Sequence, residues 1–234
     1  MLIFLYVIPI IFLLCAILQQ KRKQFHIQQW QKSLNLQEHM QIFEQLYQNT
    51  NGFVLSLKDR QKGDTLDYVY GEIDFCSFIA LLSLAKPDEN AVFYDLGCGV
   101  GKAVLACAMV YPVQQSIGVE VLPALHSEAC HLVKQLTTIK NYSECASKTE
   151  FILGDFLEVN LDKATYIFIN ATSFFNPTWD MLCARLDYLP HLTTVITTSK
   201  ALHSTIFTPI KKTKVQMGWG VVTAYIHAKK SNNC

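Results

Sequence analysis

After Asp187 the sequence contains no aspartate or glutamate, whereas Lys200, Lys211, Lys212, Lys214, Lys229 and Lys230 all follow. This imbalance predicts a solvated, weakly basic face in the C-terminal part. It does not extend to the whole chain, where 20 Lys and Arg against 19 Asp and Glu leave a net charge of +1. So small a net charge argues against a nucleic-acid partner. None of the eight cysteines forms a CxxC pair, so no metal is expected. Several lie inside apolar runs, where cysteine behaves as a small core hydrophobe and a reducing compartment suits it. No internal repeat occurs. Half of the 234 residues are hydrophobic, enough for one sizeable domain with a short appendage.

Charge is missing altogether from Leu2 to Leu18, and Lys21-Arg22-Lys23 follows directly. This predicts a transmembrane anchor over residues 1–20, with membrane contact through residues 2–18. By the positive-inside bias, everything C-terminal to it lies on the cytoplasmic side of a single-pass protein. A cleaved signal peptide fits less well, because nothing basic precedes the run and no small-residue site ends it. Asn141-Tyr142-Ser143 and Asn170-Ala171-Thr172 match the glycan acceptor pattern, which matters only in a secretory lumen. From Phe25 to Gln48 apolar residues recur every three or four positions. They predict an amphipathic helix broken near Asn35, within a helical stalk over 21–66. Asn49 to Gly63 reads as a loop.

Beyond residue 67 the pattern alternates. Strands are predicted at Ala91–Leu96, Ser116–Glu120, Glu150–Leu153, Tyr166–Asn170 and Thr193–Thr198. Apolar helices are predicted over Phe75–Ala85, Lys102–Val110, from Pro123 onward and over Thr178–Leu186. A strand pair around Trp219-Gly220 closes the chain. The expected fold is α/β, a Rossmann-like seven-stranded sheet, mostly parallel with an antiparallel C-terminal strand, in a domain spanning 67–234.

The chemistry concentrates in Asp95-Leu96-Gly97-Cys98-Gly99-Val100-Gly101-Lys102, between a buried strand and a helix. Glycines there allow a sharp bend and close approach of a ligand. Asp95 precedes the turn, where it can hold an ammonium. Glu120 ends the second strand, where a carboxylate can accept two ribose hydroxyls. Gly154-Asp155-Phe156 follows the third, offering a carboxylate to an exocyclic amine and a ring to an adenine face. A nicotinamide dinucleotide competes, but its pyrophosphate would be repelled by Asp95 and its fingerprint prefers G-x-G-x-x-G. S-adenosylmethionine carries a sulfonium, an ammonium and no phosphate, so acids suit it.

Tyr70-Gly71-Glu72, Val92 to Gly101, Gly118-Val119-Glu120, Gly154 to Leu157 and Ile167-Phe168-Ile169-Asn170 occur in that order. Together they resemble the catalytic domain of the disruptor-of-telomeric-silencing family, the non-SET histone lysine methyltransferases. The resemblance runs from Tyr70 to Ala228. It implies a class I S-adenosylmethionine-dependent methyltransferase with S-adenosyl-L-methionine held by Tyr70, Glu72, Asp95, Gly97, Gly99, Gly101, Glu120, Asp155, Phe156 and Asn170. It also implies a lysine channel, with Asn170, Trp219 and Tyr225 as catalytic residues and a lysine-bearing protein as partner. An aromatic channel would desolvate the ammonium and lower its pKa. Ser199-Lys200 resembles the family's stretch after the fifth strand. Lys102, Ile73 and Ala171 depart from the family's usual glutamine, hydroxyl residue and asparagine. The alternatives are a small-molecule, lipid or RNA acceptor, or a non-catalytic module of the same fold.

Overall fold

The computed structural model describes residues 2–60, 70–175 and 177–230. The chain divides into two compact units, Met1–Ile42 and Phe43–Cys234. Helix α1 (Leu2–Ser33) makes up most of the first, and α2 (Leu36–Tyr47) begins there. Between them Asn35 adopts a left-handed φ of 49°, a conformation asparagine tolerates better than most residues. Its side-chain amide donates to Glu38 at 2.5 Å, which fixes the break where the periodicity changes.

The N-terminal membrane helix is overturned. Among the described residues no helix is long and apolar enough to cross a membrane. The anchor over residues 1–20, the membrane partner and the single-pass placement with a cytoplasmic catalytic domain rested on it and fall with it. The apolar run ends at Leu18, short of the roughly 20 residues a span requires. The helix continues without a break through Lys21-Arg22-Lys23 to Ser33, so the apolar run is one end of a longer, largely polar element.

The expected loop after Asn49 also contains a helix, α3 (Gly52–Arg60). Asn51, a turn former in sequence, supplies the cap: its Oδ1 accepts from Val54 N–H at 3.1 Å. Residues 61–63 of that expected loop lie outside the described residues.

The second unit is built on one seven-stranded sheet. Its elements are α4 (Phe75–Ala85), β1 (Val92–Leu96), α5 (Lys102–Val110), β2 (Gln115–Glu120), α6 (Pro123–Thr138) and α7 (Ser143–Ser147). There follow β3 (Thr149–Leu153), β4 (Tyr166–Asn170), α8 (Thr178–Asp187), β5 (Thr194–Thr198), β6 (Phe207–Met217) and β7 (Gly220–Lys229). Strand order is β3-β2-β1-β4-β5-β7-β6. The first five strands run parallel, and β7 is antiparallel to both β5 and β6, as the hairpin around Trp219-Gly220 predicts.

Burial on both faces explains the continuous apolar runs of the central strands. Val92, Tyr94 and Leu96 of β1 join Ile167 and Ile169 of β4 in a core that includes Trp179, Leu182 and Leu186 of α8. The alternate residues Phe93 and Phe168 face the other way, and both rings meet Phe78 of α4 edge-on, at 5.9 and 5.2 Å. Asp74 caps α4 by accepting from Ser77 N–H at 2.8 Å. Lys86, left-handed at φ 55°, ends it just before Pro87, which cannot continue a helix.

Candidate active site

In the strand order, β1 lies between β2 and β4, and chain direction along the sheet reverses there. Loops leave β1 and β4 toward opposite sides, opening a crevice beyond their carboxyl ends. Two adjoining cavities occupy it. They share Tyr70, Gly71, Gly97 and Asn170. The larger adds Glu120, Leu122, Leu125, Asp155, Phe156 and Phe174. The smaller adds Glu72, Asp95 and Lys102.

Asp95 and Glu120 are 4% and 6% exposed, little for carboxylates. Burial lifts the Asp95 carboxyl well above the usual carboxylate range, and the charge of Glu120 lifts it further. Burial also raises Glu120, but the N–H groups of Leu122, Gly99 and Val121 pull it back. Those bonds measure 2.9, 2.7 and 2.9 Å. The loop therefore wraps Glu120 in donors, and Asp95 is the acid whose charge a cationic ligand would relieve.

The three glycines of the loop differ in their surroundings. Gly97, at φ 80°, borders both cavities. Gly99, at φ 57°, faces the Tyr70 ring, where a Cβ would fall 2.4 Å from Cε2. Gly101 lies against Phe151. Gly97 thus opens space for a ligand, while the other two admit aromatic side chains of the protein itself.

Tyr70-Gly71-Glu72 reaches the crevice through the far edge of the sheet. Gly218 N–H donates to the Glu72 carbonyl at 2.8 Å and Asp74 N–H to that of Gln216 at 3.0 Å. These bonds pin the segment beside the end of β6. The Glu72 carboxylate is bound on both oxygens, by the Tyr70 hydroxyl at 2.6 Å and by Lys102 Nζ at 2.6 Å. Lys102 also stands 5.2 Å from the centre of the Tyr47 ring.

Asp155 uses one oxygen to accept Leu157 N–H at 2.8 Å, which turns the loop so that Phe156 meets Phe174 at 5.1 Å. Arg185 on α8 steadies this loop by donating to the carbonyls of Phe156, at 2.6 Å, and Val159.

Trp219 and Tyr225 border neither cavity. Trp219 is 46% exposed and covers Gly71, where a Cβ would lie 2.1 Å from its ring. Tyr225 pairs with Thr197 in the sheet and its ring lies under Lys212 Nζ, at 5.6 Å. Sequence reasoning overlooked Leu122, Leu125 and Phe174 in the wall and Thr198 behind Asn170. The signal for Thr198 was available only once β4 and β5 were known to be neighbours, since Asn170 and Thr198 stand in register.

A family model described as histone methylation protein DOT1 matches residues 55–229. The chain belongs to that family. This is the family that the sequence resemblance implies. A protein-lysine N-methyltransferase of Saccharolobus islandicus is 26% identical over 87 residues, 37% of this chain and 50% of that protein. A histone-lysine N-methyltransferase of Drosophila melanogaster, specific for lysine 79 of H3, is 32% identical over 119 residues. That match covers 48% of this chain and 6% of the fly protein. The DOT1-family chain described here therefore spans half the length of the first relative and a small part of the second. In structure it is similar to an RNA methyltransferase of Salinibacter ruber in complex with S-adenosyl-L-homocysteine, with TM-score 0.52 and 22% identity. This likeness covers 67% of this chain and 92% of that one, and at such identity it concerns the fold.

The residues present fit S-adenosylmethionine. A buried acid with a raised pKa, Asp95, stands ready for a cation, and Glu120 lies at the strand end with an acceptor position left on Oε2 for a ribose hydroxyl. Leu122, Leu125 and Phe156 offer apolar surface to a purine.

Proposed function

We propose that the domain over 67–234 transfers a methyl group from S-adenosylmethionine to a lysine side chain of a protein. The observation that carries this reading is the Asp95–Glu120 acid pair, buried beside Gly97 at the switch point of the sheet. In this reading Asp95 holds the cofactor's ammonium, Glu120 its ribose, and Asp155 and Phe156 its adenine. Tyr70, Glu72, Gly97, Gly99 and Gly101 shape the surround. Asn170 stands where the two cavities meet, beside the reacting centre. Tyr70, Phe156 and Phe174 line the wall with ring surface that excludes water, and desolvation favours the neutral, nucleophilic amine over the ammonium. Trp219 and Tyr225 belong to the approach of the substrate. Rate enhancement comes from alignment of amine and methyl in a dry cleft. The lysine acceptor is further supported by the two curated relatives, both lysine methyltransferases by name.

The test is a labelled-methyl transfer from S-adenosylmethionine into cell extract, resolved into protein, lipid and RNA. Label in protein that hydrolyses to methyl-lysine is the expected outcome. Label confined to RNA or lipid, or no binding of S-adenosylmethionine in calorimetry, would overturn the reading.

A further inference from the structure

Asn170 closes β4 opposite Thr198, the last residue of β5. Its Nδ2 donates to the Gly71 carbonyl at 3.3 Å. A carbonyl can only accept, so this contact orients the carboxamide with nitrogen toward Gly71 and oxygen away from it. Oδ1 then accepts from two hydroxyls, Thr198 at 2.7 Å and Thr172 at 3.0 Å. A carboxamide oxygen has two lone pairs, and both are taken.

The chain of donors continues outward. Thr172 has a single hydroxyl proton, committed to Asn170, so its oxygen accepts from Ser199 Oγ at 2.8 Å. Ser199 is held at φ 66°, and its N–H donates to the Thr223 carbonyl on β7 at 2.7 Å. A non-glycine residue stays in the left-handed region only where its surroundings over-determine it. Thr198 itself is fully buried, so its hydroxyl has no access to water as an alternative partner.

We infer that Thr198, Thr172 and Ser199 are positioning residues that lock the Asn170 carboxamide, so that Asn170 offers the cavities an N–H donor and no free acceptor. The inference rests on the proposed cofactor site, because Asn170 borders both of its cavities. A flipped amide would set its oxygen against the Gly71 carbonyl oxygen, two acceptors facing each other. The ligand group opposite Asn170 is therefore an acceptor, of the carboxylate or hydroxyl class that the cofactor carries, and not an incoming ammonium.

The experiment uses the full chain, with S-adenosylmethionine as probe in calorimetry and the Asn170 side-chain amide as probe in NMR. Thr198→Val is nearly isosteric and suits a buried strand, whereas Thr198→Ser keeps the hydroxyl. Thr198→Val should bind about tenfold more weakly, the loss of one buried hydrogen bond, and Thr198→Ser should restore the affinity. The Asn170 amide resonances should move in Thr198→Val and return in Thr198→Ser, with or without cofactor. Wild-type affinity in Thr198→Val, a loss that Thr198→Ser does not rescue, or unmoved resonances would each overturn the lock. If the wild type binds no S-adenosylmethionine, the proposed function fails and the resonances alone decide the lock.

Discussion

The ring of Tyr70 occupies the space that a side chain on Gly99 would need, and the same ring lies against Gly52 at the start of α3. An aromatic residue of the cavity wall is therefore held between two glycines from separate parts of the chain. Gly99→Ala would place a methyl against that ring and force a left-handed backbone on an L residue, a strain of about 1–2 kcal/mol. It should lower the melting temperature and weaken S-adenosylmethionine binding together. Gly218→Ala, whose Cβ meets nothing closer than 3.7 Å, is the control. Equal behaviour of the two variants in thermal shift and calorimetry would remove the packing role of Gly99.

Asp95 sets function against stability. Its pKa is raised above the ordinary 3.8 by burial and by Glu120, so its ionisation disfavours the fold. Stability from this group is greatest below the unfolded pKa and is lost as pH rises through the folded one. Asp95→Asn should therefore raise the cofactor-free melting temperature at neutral pH while weakening S-adenosylmethionine binding about ten- to a hundredfold. Wild-type affinity should also fall as pH drops through the raised Asp95 pKa, and the variant should lack that fall. A variant less stable than wild type at pH 7, or one with unchanged affinity, contradicts this account.

Lys102 and Glu72 form an ion pair whose side chains are 26% and 19% exposed. Partial burial puts its coupling above that of a surface pair, at about 1 kcal/mol or somewhat more. Glu72→Gln and Lys102→Gln should each destabilise, and the double variant should destabilise by less than the sum. Strict additivity in urea denaturation would mean that the pair contributes nothing beyond its members.

His227 predicts acid sensitivity. It is buried, its Nε2 accepts from Leu202 N–H at 3.2 Å, and its Nδ1 lies 3.2 Å from the Val195 carbonyl. One nitrogen must stay unprotonated to accept, and burial lowers the pKa below 6.5. Below pH 6.5 the unfolded chain binds a proton that the folded chain refuses, so stability falls until the lowered pKa is reached. Denaturation midpoints at pH 7.5 and pH 5 should diverge for the wild type and converge in His227→Gln. An identical pH slope in both would assign the sensitivity to other groups.

The places of the central strands and of the glycine-rich turn were legible because they follow from local rules. Runs such as Val92–Leu96 and Ile167–Ile169 have few options other than central strands, and an acid in the last positions of a strand, as Asp95 in β1 and Glu120 in β2, lies at its carboxyl end. The N-terminus was misread for a related reason. An apolar run resembles a span, but its length and its uninterrupted helical continuation decide the matter.

By itself, then, the sequence determined the βα alternation, the antiparallel closing hairpin and the positions of Asp95, Glu120 and Asp155, all consequences of spacing along one chain. Tertiary structure alone decided that Tyr70 rests on Gly99, that Lys102 reaches Glu72, and that Thr198 saturates Asn170. Those contacts join residues distant in sequence. Their energies depend on distance and on exclusion of water, quantities that exist only once strands from separate parts of the chain lie side by side.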